Sequence, residues 1–349
     1  MIDEWQIIPF IWDSIRFEVD HRDAFGQFIL TGSATPVDKK DIEHSGTGRI
    51  TSITMRPMSL SESLDSNNSY SLIDLFGGRY PNGSKCDLAL TDYAFLTCRG
   101  GWPKSVGQEK EVALSIPKNY FDSLINEDLP RLDGIQRDIG KIKATIKSYA
   151  RNIASQCTVC TIIKDIYQND RKTISDITIN SYLNGLRNIF VIDDVQAWNP
   201  NLRSKVAIRT SPTRYFVDPS IACSALGIGP NDLINDLKTF GFLFESLAIR
   251  DLKIYAEAND GDVYHYRDKN GFEVDAIVHL RNGQWGAFEI KLADSDCIDE
   301  GVKNLLKLAS NIDEQKMKKP SFLAVITATN YAYKRDDGVF VIPLGCLKA

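Results

Sequence analysis

The spacing of apolar residues changes period several times along the chain, and each change predicts an element. FIWDSIRFEVD, from Phe10 to Asp20, has the three-to-four spacing of a helix, and FILTG, Phe28 to Gly32, is a short apolar run that predicts a buried strand. Ser, Asn and Gly crowd residues 65–82, a composition that predicts a surface insertion. Helical spacing returns between about Tyr120 and Asp194. Ile139, Ile142, Ile146 and Tyr149 share one face, CTVCTIIKDI predicts a second helix, Ile174 to Arg187 a third, and a short strand pair follows. From Phe216 onward the pattern reads helix, three strands, helix, strand. Leu233 to Glu257 is helical, whereas VYHY, Phe272 to Leu280 and Trp285 to Leu292 are strands, the first two joined by DKNG, a hairpin turn of the Asn-Gly type, and the last two by a turn at RNGQ. Ile298 to Ile312 repeats its apolar residues every three or four positions, and SFLAVIT closes the chain's last α/β unit with a buried strand.

At 349 residues the chain exceeds one typical core and predicts about three domains. Hydrophobic residues at 43% and charged residues at 25% are ordinary for a globular protein, which argues against wholesale disorder. There is no run of about 18 apolar residues, so no membrane span is predicted. The acidic start MIDEWQ lacks the basic flank of a signal peptide, so a cytoplasmic location is expected. Seven scattered cysteines fit free thiols better than a disulfide framework. Cys157 and Cys160 form the sole CxxC; without a second pair or a neighbouring histidine they are read as small apolar positions on a helix, and no zinc is expected. The net charge of -5 hides a basic middle: Arg131 to Lys172 holds nine Lys/Arg and four Asp/Glu, a local +5. The three helices and strand pair that span this region outline a winged helix-turn-helix, with Ser175, Thr178 and Asn180 as candidate DNA contacts. The competing reading is a three-helix packing module.

Candidate chemistry concentrates in the last domain. Side chains alternate along a strand, so Glu289 and Lys291 point to one face, and Asp275 on the neighbouring strand can meet them, with Glu273 beside it if that strand is regular. Carboxylates on the core of a sheet are costly to desolvate unless they pair or bind a metal. Asp275, Glu289 and the carbonyl of Ile290 are hard oxygen ligands suited to Mg²⁺ or Mn²⁺, with Lys291 placed to orient water or stabilise charge on a phosphate. The alternative is a salt-bridged strand pair in which Lys291 neutralises a carboxylate on a solvated face.

This order of elements, with an Asp on the second strand and ExK on the third, resembles the PD-(D/E)xK nuclease superfamily. The resemblance implies that Glu245 in FGFLFESLAIRDL is the helix glutamate, Asp275 and Glu289 the metal ligands, and Lys291 the catalytic lysine. At the other end, IDEWQ resembles the end of a Walker B strand, with Asp3 on Mg²⁺ and Glu4 polarising water. LTGSA resembles the sensor strand of the same ATPases. GRITSITMRPMSLSE (Gly48 to Glu62), GGWP (Gly100 to Pro103) and RTSPTRYFVDP (Arg209 to Pro219) extend the likeness to prokaryotic AAA-type ATPases with a C-terminal domain of unknown function. No G-x4-G-K-[ST] loop occurs in the sequence. The chain is therefore expected to begin inside the ATPase core, to leave Asp3 and Glu4 vestigial, not to bind ATP, and to expose an uncovered apolar face near Phe28 to Leu30. The implied fold class is α/β: residues 1–62 a remnant of a parallel P-loop-type sheet, 63–125 an insertion and lid-like connector, 126–215 a winged-helix-like domain, and 216–349 an αβββαβ nuclease-like domain. The expected function is metal-dependent action on nucleic acid. Alternatives are a non-catalytic module that binds nucleic acid or protein, and an ATPase completed by upstream sequence.

Overall fold

The computed structural model describes residues 1–22, 24–33, 46–129, 138–199, 211–292, 295–313 and 317–349. In chain order the helices are α1 (Ile11–Arg22), α2 (Leu72–Phe76), α3 (Leu90–Arg99), α4 (Lys110–Ser123), α5 (Ile139–Arg151), α6 (Val159–Asp170), α7 (Asp176–Asn188), α8 (Pro219–Leu226), α9 (Pro230–Asn235), α10 (Leu237–Glu257) and α11 (Ser295–Asn311). The strands are β1 (Tyr70–Ser71), β2 (Ser84–Lys85), β3 (Gln196–Ala197), β4 (Gly261–Arg267), β5 (Glu273–Leu280), β6 (Trp285–Lys291), β7 (Leu323–Thr327), β8 (Tyr331–Lys334), β9 (Phe340–Pro343) and β10 (Leu347–Lys348).

An eight-stranded sheet runs in the order β2-β8-β9-β7-β6-β5-β4-β3. β4, β5 and β6 form an antiparallel meander, after which β7 joins β6 in parallel through α11. Alternation along the central strands separates two apolar layers. Ala276, Val278, Phe288 and Ile290 pack with Phe240, Phe244 and Leu247 of α10 on one face. Ile277, Trp285, Ala287 and Val325 pack with Val302 and Leu305 of α11 on the other. A sheet covered on both faces needs apolar residues at both phases, which is why β6 reads as a nearly continuous buried run.

Several expectations are corrected. The helix expected over Leu233 to Glu257 is two helices, because Asp236 leaves helical geometry (φ −126°, ψ 80°) and its carboxylate accepts from the Thr239 N–H to start α10. DKNG and RNGQ turn the chain with only their glycines in the left-handed region (Gly271 φ 85°, Gly283 φ 83°). The side chains of Asp268 and Asn282 bond the following backbone instead, so these are not the two-residue turns that Asn-Gly suggests. Residues 65–82 are not a surface insertion: Tyr70, Leu72, Leu75 and Phe76 are buried, β1 pairs with β10, and Phe76 stacks edge-on against Phe322. Four well-placed apolar side chains outweigh a polar average composition. FILTG forms no strand; its parallel pairing is a single bridge between Ile2 and Leu30.

α5, α6 and α7 pack together and are followed by antiparallel bridges Ile192–Phe216 and Val195–Thr213. Residues 131–137 of the basic stretch, and Arg209 and Thr210 of RTSPTRYFVDP, lie outside the described residues. Elsewhere in the chain the motifs that carry the ATPase likeness converge on a buried ionic hub. Arg250 of α10 reaches Asp218 at 2.9 Å and Asp251 at 2.7 Å, all three side chains being at most 1% exposed. Asp251 accepts from Leu60 N–H, and Asp218 from Gly101 N–H, both at 2.9 Å. The segments around MSLSE, GGWP and FVDP are thus tied to one helix.

Candidate functional site

The β5–β6 ladder ends at the pair Ala276–Phe288, and beyond it a side chain takes over from the backbone. Asp275 Oδ2 accepts the Ile290 N–H at 2.8 Å, which satisfies a group that the parted strand no longer meets. Just before this point the register of β5 slips: Tyr264 and Tyr266 of β4 face Ile277 and Val274, so three residues answer two. Val274 and Ile277 consequently join the same apolar layer, which strict alternation forbids. The slip separates Asp275 from Glu273, which is exposed and pairs with Arg267 at 3.3 Å rather than joining the cluster. The expectation that Glu273 shares the site depended on a regular strand and is corrected.

Glu289 and Lys291 lie under α11, where Gly301 makes room: a Cβ on this glycine would stand 3.2 Å from Glu289 Cβ and 3.5 Å from Lys291 Cε. Lys291 Nζ is 2.7 Å from Glu289 Oε2 and 3.6 Å from Asp275 Oδ2. Sequence, register and helix packing therefore bring Asp275, Glu289 and Lys291 together. Glu245, on α10, is only partly exposed and receives the hydroxyl of Tyr215. Among the described residues no three His, Cys, Asp or Glu side chains converge as a metal cage.

The electrostatics show what this grouping costs. Glu289 is 1% exposed, and neither of its carboxylate oxygens has a hydrogen-bond partner among the described residues. Its close partner is the Lys291 ammonium, 2.7 Å from Oε2. Burial, then repulsion from Asp275, push the Glu289 carboxyl up to about 8 against the pull of Lys291 and Asn304. Surrounding protein and the Asp275 charge likewise hold Glu245 well above the usual carboxylate range. Burial disfavours the Lys291 ammonium, but Asp275 and Glu289 outweigh it and raise its pKa. Because the folded form of Glu289 holds its proton more tightly than an unfolded glutamate, ionising it weakens the fold as pH rises from about 4.5 towards 8. Glu289→Gln is expected to stabilise the metal-free protein at pH 8 by about 1 kcal/mol in urea unfolding, with a smaller gain at pH 5. Destabilisation at pH 8 would mean that the carboxylate is held by its ion pair.

The buried Glu289 carboxylate next to Asp275 fits a hard divalent cation. Lys291 is the present counter-charge.

The other residues chosen from sequence lie elsewhere. Ser175 caps α7 by accepting from Thr178 N–H at 3.2 Å and shares a 2.9 Å hydroxyl contact with Thr178, while Asn180 donates to Asp176 O at 2.8 Å. The cation at the far end of that helix, Arg187, is engaged by Asp194 at 3.2 Å. At the N-terminus Asp3 receives the Thr31 hydroxyl and Glu4 receives that of Ser33, so IDEWQ and LTGSA meet side by side. Ile29 is 60% and Phe25 104% exposed in the same region. Sequence reasoning missed Tyr215 and Gly301. The first stood inside the quoted motif RTSPTRYFVDP, and the second is a lone glycine on the buried face of an amphipathic helix.

Residues 1–64 match the family model of an AAA domain, residues 90–232 that of a domain of unknown function, DUF8612, and residues 240–347 that of another, DUF4143. The AAA-domain match contains Asp3 and Glu4, and the second match to a domain of unknown function contains Glu245, Asp275, Glu289 and Lys291. No curated protein and no solved structure matches the chain.

Proposed function

We propose that the β5–β6 hairpin carries a metal-dependent phosphodiesterase site acting on nucleic acid. The observation that carries this reading is the Glu289 carboxylate, buried in the sheet beside a second carboxylate, with Lys291 as its close counter-charge. One lysine shared between two carboxylates leaves acceptor capacity on the buried Glu289 unused, and a divalent cation would engage it. Asp275 and Glu289 would hold Mg²⁺ or Mn²⁺, which supplies Lewis acidity towards water and phosphate when bound. Asp275 is kept in place by the Ile290 N–H, and Glu289 by its position in the middle of the sheet. Lys291, released from neutralising the two carboxylates, is free to place its ammonium beside the negative charge that grows on a phosphate oxygen. Glu245 supplies a carboxyl outside the pair, suited to holding a proton or orienting water.

Thermal unfolding with and without millimolar Mn²⁺ tests the metal site. The wild type is expected to gain about 2–3 kcal/mol when the ion is at a hundred times its Kd, and Asp275→Asn to gain almost nothing. Nicking of plasmid DNA in Mn²⁺ is expected to disappear in Asp275→Ala and Lys291→Ala, both still folded by circular dichroism. A wild-type melting temperature indifferent to Mn²⁺ overturns the proposal. That result would favour a second reading, prompted by the 2.7 Å approach of Lys291 to Glu289, in which the cluster is a buried ion pair and the domain binds partners without cutting them.

A further inference from the structure

Tyr215 is 1% exposed and stands where the three-helix unit meets α10. Both ends of the residue are held. Its hydroxyl donates to Glu245 Oε1. Its backbone N–H donates to Asp194 Oδ1 at 3.3 Å, and its carbonyl accepts from Asp193 N–H at 3.0 Å. Asp194 is itself fixed by Arg187 from the end of α7 at 3.2 Å, by Arg214 at 2.9 Å and by the Tyr149 hydroxyl.

A phenylalanine would fill the same apolar volume, so packing does not explain the buried oxygen. A buried hydroxyl is tolerated when it has a hydrogen-bond partner, and here that partner is Glu245. Glu245 forms no ion pair among the described residues, which leaves the Tyr215 hydroxyl to set where its carboxyl points. Outer groups of this kind, orienting a side chain beside a metal site, commonly change metal affinity about tenfold or more when removed.

We propose that Tyr215 is a positioning residue: it holds Glu245 on α10, the helix packed against the β5 and β6 strands that carry Asp275, Glu289 and Lys291, and Asp194 holds Tyr215, so that the three-helix unit is mechanically joined to the candidate metal site. The inference rests on the metal-site reading above. It also assigns the unit of α5, α6 and α7 a role that needs no direct contact with nucleic acid, since the route from Arg187 to Glu245 passes through the protein.

Two measurements on the full chain test it. Without metal, the infrared carboxyl band of Glu245, assigned by its loss in Glu245→Gln, is expected to shift in Tyr215→Phe; an unchanged band overturns the proposal whether or not the protein binds a metal. With Mn²⁺, read by electron paramagnetic resonance, Tyr215→Phe is expected to raise the Kd about tenfold in the wild-type background and to add nothing in the Glu245→Gln background. An equal loss in both backgrounds shows that Tyr215 acts through general packing and overturns the proposal. If the wild type binds no Mn²⁺ at all, the phosphodiesterase reading fails, and the infrared band alone decides the positioning role. Tyr215→Phe keeps the ring, and Glu245→Gln keeps an acceptor for the hydroxyl, so both variants retain the packing of α10.

Discussion

Arg250→Met is expected to lower the unfolding free energy by about 3–5 kcal/mol, enough to leave little of the roughly 5–15 kcal/mol that holds a typical domain together. The substitution nearly preserves volume and leaves Asp218 and Asp251, both 0% exposed, without their cation. Backbone and hydroxyl donors remain: Gly101 N–H and Ser220 for Asp218, Leu60 N–H for Asp251. They do not cancel two charges. Burial, with repulsion from Asp218, already pushes the Asp251 carboxyl up, even with Arg250 beside it. The hub's surroundings are closely packed. Gly100 sits at φ 70°, and a Cβ on Gly101 would lie 2.0 Å from Met58 O, so the backbones here are in direct contact. Equilibrium urea unfolding checks the expectation, and a loss below about 1 kcal/mol would show that the hub is not an important support.

The second large effect is one of pH. His265 on β4 is 3% exposed, with Nδ1 3.2 Å from Gln156 Nε2 and Nε2 3.1 Å from Ser211 O. A neutral ring satisfies both contacts, Nε2–H donating to the carbonyl and Nδ1 accepting from the amide. Burial lowers its pKa to about 4, aided by Arg267 and opposed by the Ser211 carbonyl. The folded pKa is below the unfolded one of about 6.5, so the unfolded chain takes up a proton first as pH falls. Stability is complete above pH 6.5 and declines towards pH 4, by about 3 kcal/mol for this group. His265 bridges the segment before α6 to the sheet, so that junction should loosen first. Unfolding free energies of wild type and His265→Gln between pH 7 and pH 4 give the test. The wild type should lose about 3 kcal/mol more than the variant; parallel curves would remove His265 from the account.

Periodicity in the chain determined much of the C-terminal architecture, because an apolar side chain has the same preference wherever its element packs. The apolar runs of β4, β5 and β6, the apolar stripe of α11 and the buried run of β7 are all readable in advance, as are the candidate residues Asp275, Glu289, Lys291 and Glu245. The N-terminal likeness between IDEWQ, LTGSA and an AAA domain was equally local. Contacts between residues distant in sequence decided the rest. A register slip in β5 removed Glu273 from the site and turned Asp275 towards the Ile290 N–H, and no local pattern announces where a ladder will part. Tyr70, Leu72 and Phe76 are buried because β10 and Phe322 come to them from the other end of the chain. Arg250 and Tyr215 look like ordinary members of a helix and a loop until folding brings Asp218 and Glu245 to them, since the energy of a buried charge or hydroxyl depends on the partner it meets and not on its own position in the sequence.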